Sequence, residues 1–270
     1  MTSQIATAKK VTAVTVREAK GQVPLVAITA YDYTMARLVD EQVDIVLVGD
    51  SLGMVVQGNP HTLSVTVDEM IYHCRAVARA VRHSHLVVDM PFMSYQVSVE
   101  EALRNAGKIL AEGGAEAVKL EGGVAMAPTV ERLVAAGIPV MGHLGLMPQS
   151  VHTMGGYRVQ GKTDKAKESL LEDAVALEDA GAYAIVLEGI PAELAKNISE
   201  RLKIPTIGIG AGADCDGQIL VGQDLLGLNV DFKPRFVKHF AHLGEDVRRA
   251  VAQYAEEVKN RNFPTKEHSF

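Results

Sequence analysis

Residues 115–122 read AEAVKLEG and residues 182–189 read AYAIVLEG. In each, an apolar run stops at a glutamate and a glycine, as a strand buried on both faces would at the rim of a parallel sheet. The match is a relic of duplication or a convergence on one βα geometry. Either way it puts Glu121 and Glu188 at equivalent strand ends. Outward from this pair, short apolar runs alternate with longer amphipathic ones, the pattern of parallel βα units rather than of hairpins. The strand candidates are PLVAITAYD from residue 24, DIVLVGDS from 44, LVVDMPF from 86, EAVKLEG from 116, IPVMGHLG from 138, YAIVLEG from 183, IPTIGIGAG from 204 and QILVGQDL from 218. Eight such units in 270 residues predict an α/β fold of the (β/α)8 TIM-barrel class.

The intervening helices have readable ends. Thr66 with Glu69 and Ser98 with Glu101 have capping-box spacing, and Pro191 suits a first helical position. Gly113, Gly137 and Gly181 stand where left-handed C-terminal caps are wanted. No linker-like composition interrupts the alternation. One barrel domain over 1–270 is expected, with a short N-terminal extension to about residue 22 and a C-terminal tail from about 261.

Composition narrows the function classes. The chain has 27 basic against 33 acidic residues and no Lys/Arg block, which argues against nucleic acid as a partner. Cys74 and Cys215 are far apart and form no C-x-x-C, so neither a disulfide framework nor a zinc site is signalled, and a cytoplasmic setting is expected. No apolar run reaches the length of a membrane span.

A parallel barrel builds its active site at the C-terminal ends of its strands. There the sequence places Asp50 with Ser51, Asp89, Lys119 with Glu121, His143, Glu188 and the glycines 208, 210 and 212. Four carboxylates converging on one mouth repel one another, and a divalent cation relieves that conflict. Oxygen ligands without cysteine favour Mg2+ over Zn2+. Against this stands the plainer reading that each acid caps a helix or forms an ion pair. Lys119 and Glu121, two residues apart on a strand, share a face. A lysine is less costly at the lumen mouth than among the helices, where it either stabilises an oxyanion, forms a Schiff base, or simply pairs with Glu121. His143 either bonds substrate or is a satisfied rim histidine. Cys215 reads as a packed loop cysteine, with no base beside it. The glycine run 208–212 suits either a phosphate or a close backbone approach. Two long connections, 53–66 and 144–163, flank the mouth, and the second has the length and the glycines of a lid.

The ordered motifs GDS (49–51), DMPF (89–92), KLEGG (119–123), GHLGLMPQ (142–149), LEGIP (187–191) and GIGAG (208–212) closely resemble the ketopantoate hydroxymethyltransferase family, from about Tyr31 to Pro234. The resemblance implies that Asp50, Asp89 and Glu121 bind Mg2+ directly or through water. It implies that Ser51 and Lys119 join Asp50 and Asp89 in holding a 2-oxo acid, and that Glu188 is the base. It further implies hydroxymethyl transfer from 5,10-methylenetetrahydrofolate to 3-methyl-2-oxobutanoate through a Mg-stabilised enolate, yielding 2-dehydropantoate for pantothenate synthesis, in a homo-decamer. Two other readings compete with it: a Mg-dependent lyase or mutase of the phosphoenolpyruvate mutase type, and a metabolite-binding barrel without catalysis.

Overall fold

The computed structural model describes residues 9–230 and 234–270, so the first eight residues of the expected N-terminal extension lie outside the described residues. Eight parallel strands close in sequence order: β1 (Leu25–Thr29), β2 (Ile45–Val48), β3 (His85–Asp89), β4 (Ala117–Glu121), β5 (Val140–Gly145), β6 (Ala184–Glu188), β7 (Thr206–Ile209) and β8 (Gly217–Leu220), with β8 pairing back to β1. This is the expected (β/α)8 barrel. Each strand is shorter than its sequence candidate: β1, β2, β3 and β7 drop residues at their C-terminal ends that pass into the mouth, whereas β5 keeps its end and is trimmed only at Ile138 and Pro139. The last candidate is cut most: QILVGQDL stops pairing at Leu220, and Gly222–Leu225 is a helical turn.

Helices α1 (Ala13–Glu18), α2 (Tyr33–Val39), α3 (Leu52–Val55), α4 (Val67–Ala78), α5 (Val99–Lys108), α6 (Ala127–Ala135), α7 (Asp164–Asp179) and α8 (Ala192–Arg201) belong to the unit that ends at Leu220. Thr66 and Glu69 form the full reciprocal capping box, whereas Ser98 accepts only the Glu101 N–H. Pro191 is the N-cap of α8, one position earlier than expected. Gly137 and Gly181 take the left-handed conformation. After α5 that role falls to Gly114 rather than Gly113, because a π turn over Ile109–Gly113 carries the helix one residue further. A second unit, Val221–Phe270, contains α9 (Gly222–Leu225) and α10 (Leu243–Lys259). Among the described residues, no helix is long and apolar enough to cross a membrane.

Strand periodicity explains how the barrel is filled. Leu25, Ala27, Ile45, Leu47, Val87, Ala117, Met141, Ala184, Val186, Ile207, Ile209 and Ile219 come from all eight strands yet form one buried cluster, so they point into the lumen. Two residues further along β3, β4, β5 and β6, the same inward positions are Asp89, Lys119 then Glu121, His143, and Glu188. The lumen is therefore apolar below and charged above. Residues expected to be a loose extension close its lower end: α1 sends Val16, 0% exposed, into the lumen cluster. The Val11 N–H donates to His83 O and Lys10 pairs with Glu116, which fixes this segment to the strand N-termini.

Candidate active site

Barrel register brings the mouth residues side by side. Asp89 is level with Lys119 across β3 and β4, Glu121 with His143 across β4 and β5, and Gly145 with Glu188 across β5 and β6. Asp50 follows β2, and its backbone N–H donates to Asp89 Oδ2 at 3.0 Å. Asp89 Oδ1 lies 2.8 Å from Lys119 Nζ, which is 3.3 Å from His143 Nδ1. His143 Nε2 is 3.2 Å from Glu188 Oε2, and Glu121 Oε1 is 3.6 Å from His143 Nδ1. The Ser51 and Tyr31 hydroxyls are hydrogen-bonded at 2.8 Å. A Cβ placed on Gly49 would fall 2.7 Å from Ser51 Oγ and 3.4 Å from Asp89 Oδ2, so Ser51 faces the same space. The structure thus draws together Asp50, Ser51, Asp89, Lys119, Glu121, His143 and Glu188. The partner of Lys119 is Asp89, not the Glu121 that strand alternation suggested. Alternation gives the face of a side chain but not which neighbouring strand supplies its counter-ion.

Burial makes these charges costly. Asp50 is pushed up to about 7 by burial and the adjacent Asp89 charge. Glu121 is raised well above the carboxylate range by burial and by Asp50, and burial lifts Glu188 to about 7. Burial also works against the Lys119 ammonium, but Asp89, Glu121 and Asp50 outweigh it and hold its pKa above the ordinary lysine value. For His143, burial and the Lys119 charge act together and keep the imidazole neutral. A neutral ring between an ammonium and a carboxylate has one consistent tautomer: Nδ1 faces Lys119 as acceptor, and Nε2 carries the hydrogen on the side of Glu188, close to it but without an aligned hydrogen bond.

Four carboxylates facing one ammonium leave an excess of negative charge when all are ionised. Among the described residues no group of three His, Cys, Asp or Glu side chains is drawn together tightly enough to hold a metal as it stands. Donor groups space the acids instead. Lys119 stands at Asp89, and Gln149 donates from Nε2 to Asp50 Oδ2 at 2.8 Å and from its backbone N–H to Glu121 Oε2 at 3.1 Å.

Gln149, Tyr95 and Tyr31 are the buried mouth residues that strand-end reasoning missed. Gln149 and Tyr95 lie in connections, where no periodicity marks an inward side chain, whereas Tyr31 continues the inward alternation of Leu25 and Ala27 just past the end of β1. Gln149 did stand inside the GHLGLMPQ motif. The connection that carries it is ordered over the mouth. Tyr157 Oη donates to Met54 Sδ at 3.4 Å, the His61 and His152 rings meet edge-on at 5.7 Å, and the Gln160 N–H donates to Gly189 O. The other long connection is not irregular throughout, since α3 occupies its start. In the glycine run, Cβ atoms on Gly208 and Gly212 would fall 3.0 Å from Cys215 Sγ and 2.4 Å from Ala192 Cβ, so close packing accounts for both. Cys215 is buried, and burial raises its thiol pKa, as befits a packed residue.

A parallel barrel whose mouth joins buried acids, one lysine and a neutral histidine defines an enzyme that manages proton and oxyanion chemistry on a small molecule. Residues 10–266 match the family model described as ketopantoate hydroxymethyltransferase. The 3-methyl-2-oxobutanoate hydroxymethyltransferase of Pelobacter propionicus is 60% identical over 243 residues, covering 90% of each chain. That of Syntrophus aciditrophicus is 55% identical over 265 residues, covering 97% of each. The chain belongs to the ketopantoate hydroxymethyltransferase family and is an enzyme of that type. Among solved structures, a 2,3-dimethylmalate lyase of the PEP mutase/isocitrate lyase superfamily aligns with a TM-score of 0.61 at 18% identity, over 95% of this chain and 87% of the other. A phosphonopyruvate hydrolase aligns with a TM-score of 0.62 at 13% identity, over 96% and 93%. At these identities the likeness shows the fold alone.

Proposed function

We propose that the chain transfers a hydroxymethyl group from 5,10-methylenetetrahydrofolate to 3-methyl-2-oxobutanoate, giving 2-dehydropantoate for pantothenate synthesis, with Mg2+ as its metal. The observation that carries this reading is Glu188, a lumen-facing carboxyl lifted to about 7 beside a neutral imidazole. A base poised near neutrality is what removal of the C3 proton of a 2-oxo acid requires.

The donor set fits a hard divalent cation. It consists of carboxylate oxygens, carries excess negative charge, and includes Asp89 Oδ1, a buried oxygen without an aligned hydrogen bond. Mg2+ typically takes one or two protein carboxylates and fills its remaining positions with water and substrate, so three converging acids are not needed. Asp50 and Asp89, brought together by the Asp50 backbone N–H donating to Asp89 Oδ2, would be its direct ligands, with Glu121 acting through water. When bound, the cation supplies Lewis acidity to the oxo-acid oxygens and offsets charge that develops on them.

This chain's residues do the rest. Ser51 and Lys119 hold the oxo acid, and the Lys119 ammonium faces the negative charge that grows as the proton leaves. Glu188 takes the C3 proton, with the His143 Nε2 edge 3.2 Å from its carboxylate. Water releases the methylene unit from the folate nitrogens as a formaldehyde equivalent. C3 attacks that carbon to form the new C–C bond, and the resulting alkoxide takes back the proton held on Glu188. The connection over the mouth limits access of bulk water while the carbanion exists.

In D2O with Mg2+, the unaltered protein should exchange the C3 proton of 3-methyl-2-oxobutanoate, and Glu188→Gln should slow that exchange by about a hundredfold or more. Unchanged exchange in the variant would remove Glu188 as the base. Turnover with and without folate donor and chelator tests the other two components. The reading extends to small molecules as the ligands, a cytoplasmic setting, and homo-decameric assembly, the last tested by light scattering.

A further inference from the structure

Gln149 is 6% exposed, and its side chain and backbone N–H are fully engaged in the mouth. Its Nε2 donates to Asp50 Oδ2 at 2.8 Å and to Met90 O at 2.9 Å. Its Oε1 accepts from Tyr95 Oη at 2.7 Å and from Gln96 Nε2 at 3.2 Å. Its backbone N–H donates to Glu121 Oε2 at 3.1 Å, and the Glu121 N–H donates to Tyr95 Oη at 3.1 Å. The carboxamide fits only one way round. Reversed, its oxygen would face the Asp50 carboxylate and the Met90 carbonyl, and its nitrogen would face two donors.

We infer that Gln149 is the positioning residue that sets the separation of Asp50 and Glu121 for the cation, and that Tyr95 locks it in place. The inference rests on the metal reading above. Asp50 and Glu121 come from different strands and repel each other across a buried space. Gln149 sets one donor against each of them and, being uncharged, leaves the negative charge that attracts a cation intact. A lysine there would consume that charge, and an aliphatic side chain would leave Asp50 Oδ2 and Met90 O without their donor while the backbone N–H to Glu121 stays. The Tyr95 hydroxyl links Glu121 N–H to Gln149 Oε1, and the carboxamide cannot turn without losing its bonds from Tyr95 and Gln96. Gln149 also lies in the 3-10 turn Pro148–Ser150 at the start of the connection over the mouth, so the same residue ties that connection to the acids.

The test uses the full chain, Mn2+ as the probe, and no substrate. Free Mn2+ is followed by electron paramagnetic resonance for the unaltered protein, Gln149→Met and Tyr95→Phe, with thermal melting of each variant in chelator as the control for folding. Gln149→Met should weaken Mn2+ binding by about tenfold or more, the scale on which outer-shell partners act. Tyr95→Phe should weaken it by a smaller factor in the same direction, and it carries the test if Gln149→Met does not fold. In turnover, Gln149→Met should need correspondingly more Mn2+ for half-maximal rate while keeping kcat within a few-fold at saturation. Folded variants that bind Mn2+ as tightly as the unaltered chain, with only a lower melting temperature, would overturn the inference and leave the metal reading standing. Failure of the unaltered chain to bind Mn2+ would overturn both.

Discussion

His143 lies 3.2 Å from Glu188 Oε2 at Nε2, without an aligned hydrogen bond, and 3.3 Å from Lys119 Nζ at Nδ1, so one neutral ring separates the proposed base from the ammonium. That separation lets Glu188 keep a pKa near neutrality. In direct contact with Lys119 it would ionise at ordinary carboxylate values and lose basicity.

Glu188→Gln should therefore trade activity for stability. A carboxyl whose folded pKa is raised from 4.5 to about 7 favours the native state only while protonated, so its contribution falls as pH rises from 4.5 through 7. In chelator at pH 8, the variant should be more stable than the unaltered chain by up to about 3 kcal/mol, a difference that vanishes below pH 4.5. Urea midpoints at the two pH values measure it. Equal midpoints at pH 8 would show that Glu188 ionises without cost.

Lys119→Met leaves Asp89 buried without its ammonium and Asp50 and Glu121 without a nearby cation. Breaking such a pair from one side should cost about 3–5 kcal/mol in chelator. Deuterium exchange into the substrate should also fall by at least about a hundredfold, since the ammonium faces the developing charge. Exchange kinetics and denaturant melts on the same preparation separate the two effects. Full exchange activity would limit Lys119 to a structural role.

The opposite end of the barrel should respond to acid. Burial disfavours the Glu116 charge, but His85, Lys10 and the Leu86 N–H outweigh it and hold the carboxyl down at about 2. A carboxyl with a depressed folded pKa lends stability that is complete above its unfolded value and lost as pH falls through its folded one. Here that window runs from about 4.5 down to about 2. Glu116→Gln should flatten the stability–pH curve across that window, as read from urea midpoints at half-unit steps. An unchanged slope would show that the contacts with Lys10 and His85 do not survive in solution.

Val16→Ala separates base from mouth. Removing two buried carbons from the lumen plug should cost about 2 kcal/mol. It should leave Mn2+ affinity and substrate exchange unchanged, because Val16 packs with the apolar lumen cluster below the charged mouth. Loss of exchange at full occupancy of the folded state would mean that the two ends of the lumen are coupled.

The barrel and most of its site are legible along the chain because both follow from short-range rules. A strand buried on both faces reads as a continuous apolar run, and a polar residue at its end then belongs to the rim. Asp89, Glu121, His143 and Glu188 are found this way. The same rules fail for Val16, whose short amphipathic stretch says nothing of the lumen it fills. They also fail for Gln149 and Tyr95, which lie in connections without a period to set their direction.

Residue order alone determined the eight-fold alternation, the acid-rich rim and the family motifs, because hydrophobic periodicity and strand termini are properties of neighbours in the chain. Only the tertiary structure decided that Lys119 answers Asp89, that His143 presents one nitrogen to Lys119 and the other to Glu188, and that Gln149 stands between Asp50 and Glu121. Those pairings depend on strand register around a closed sheet and on how a loop folds back over it. Both are set by contacts between residues far apart in sequence, which no local pattern encodes.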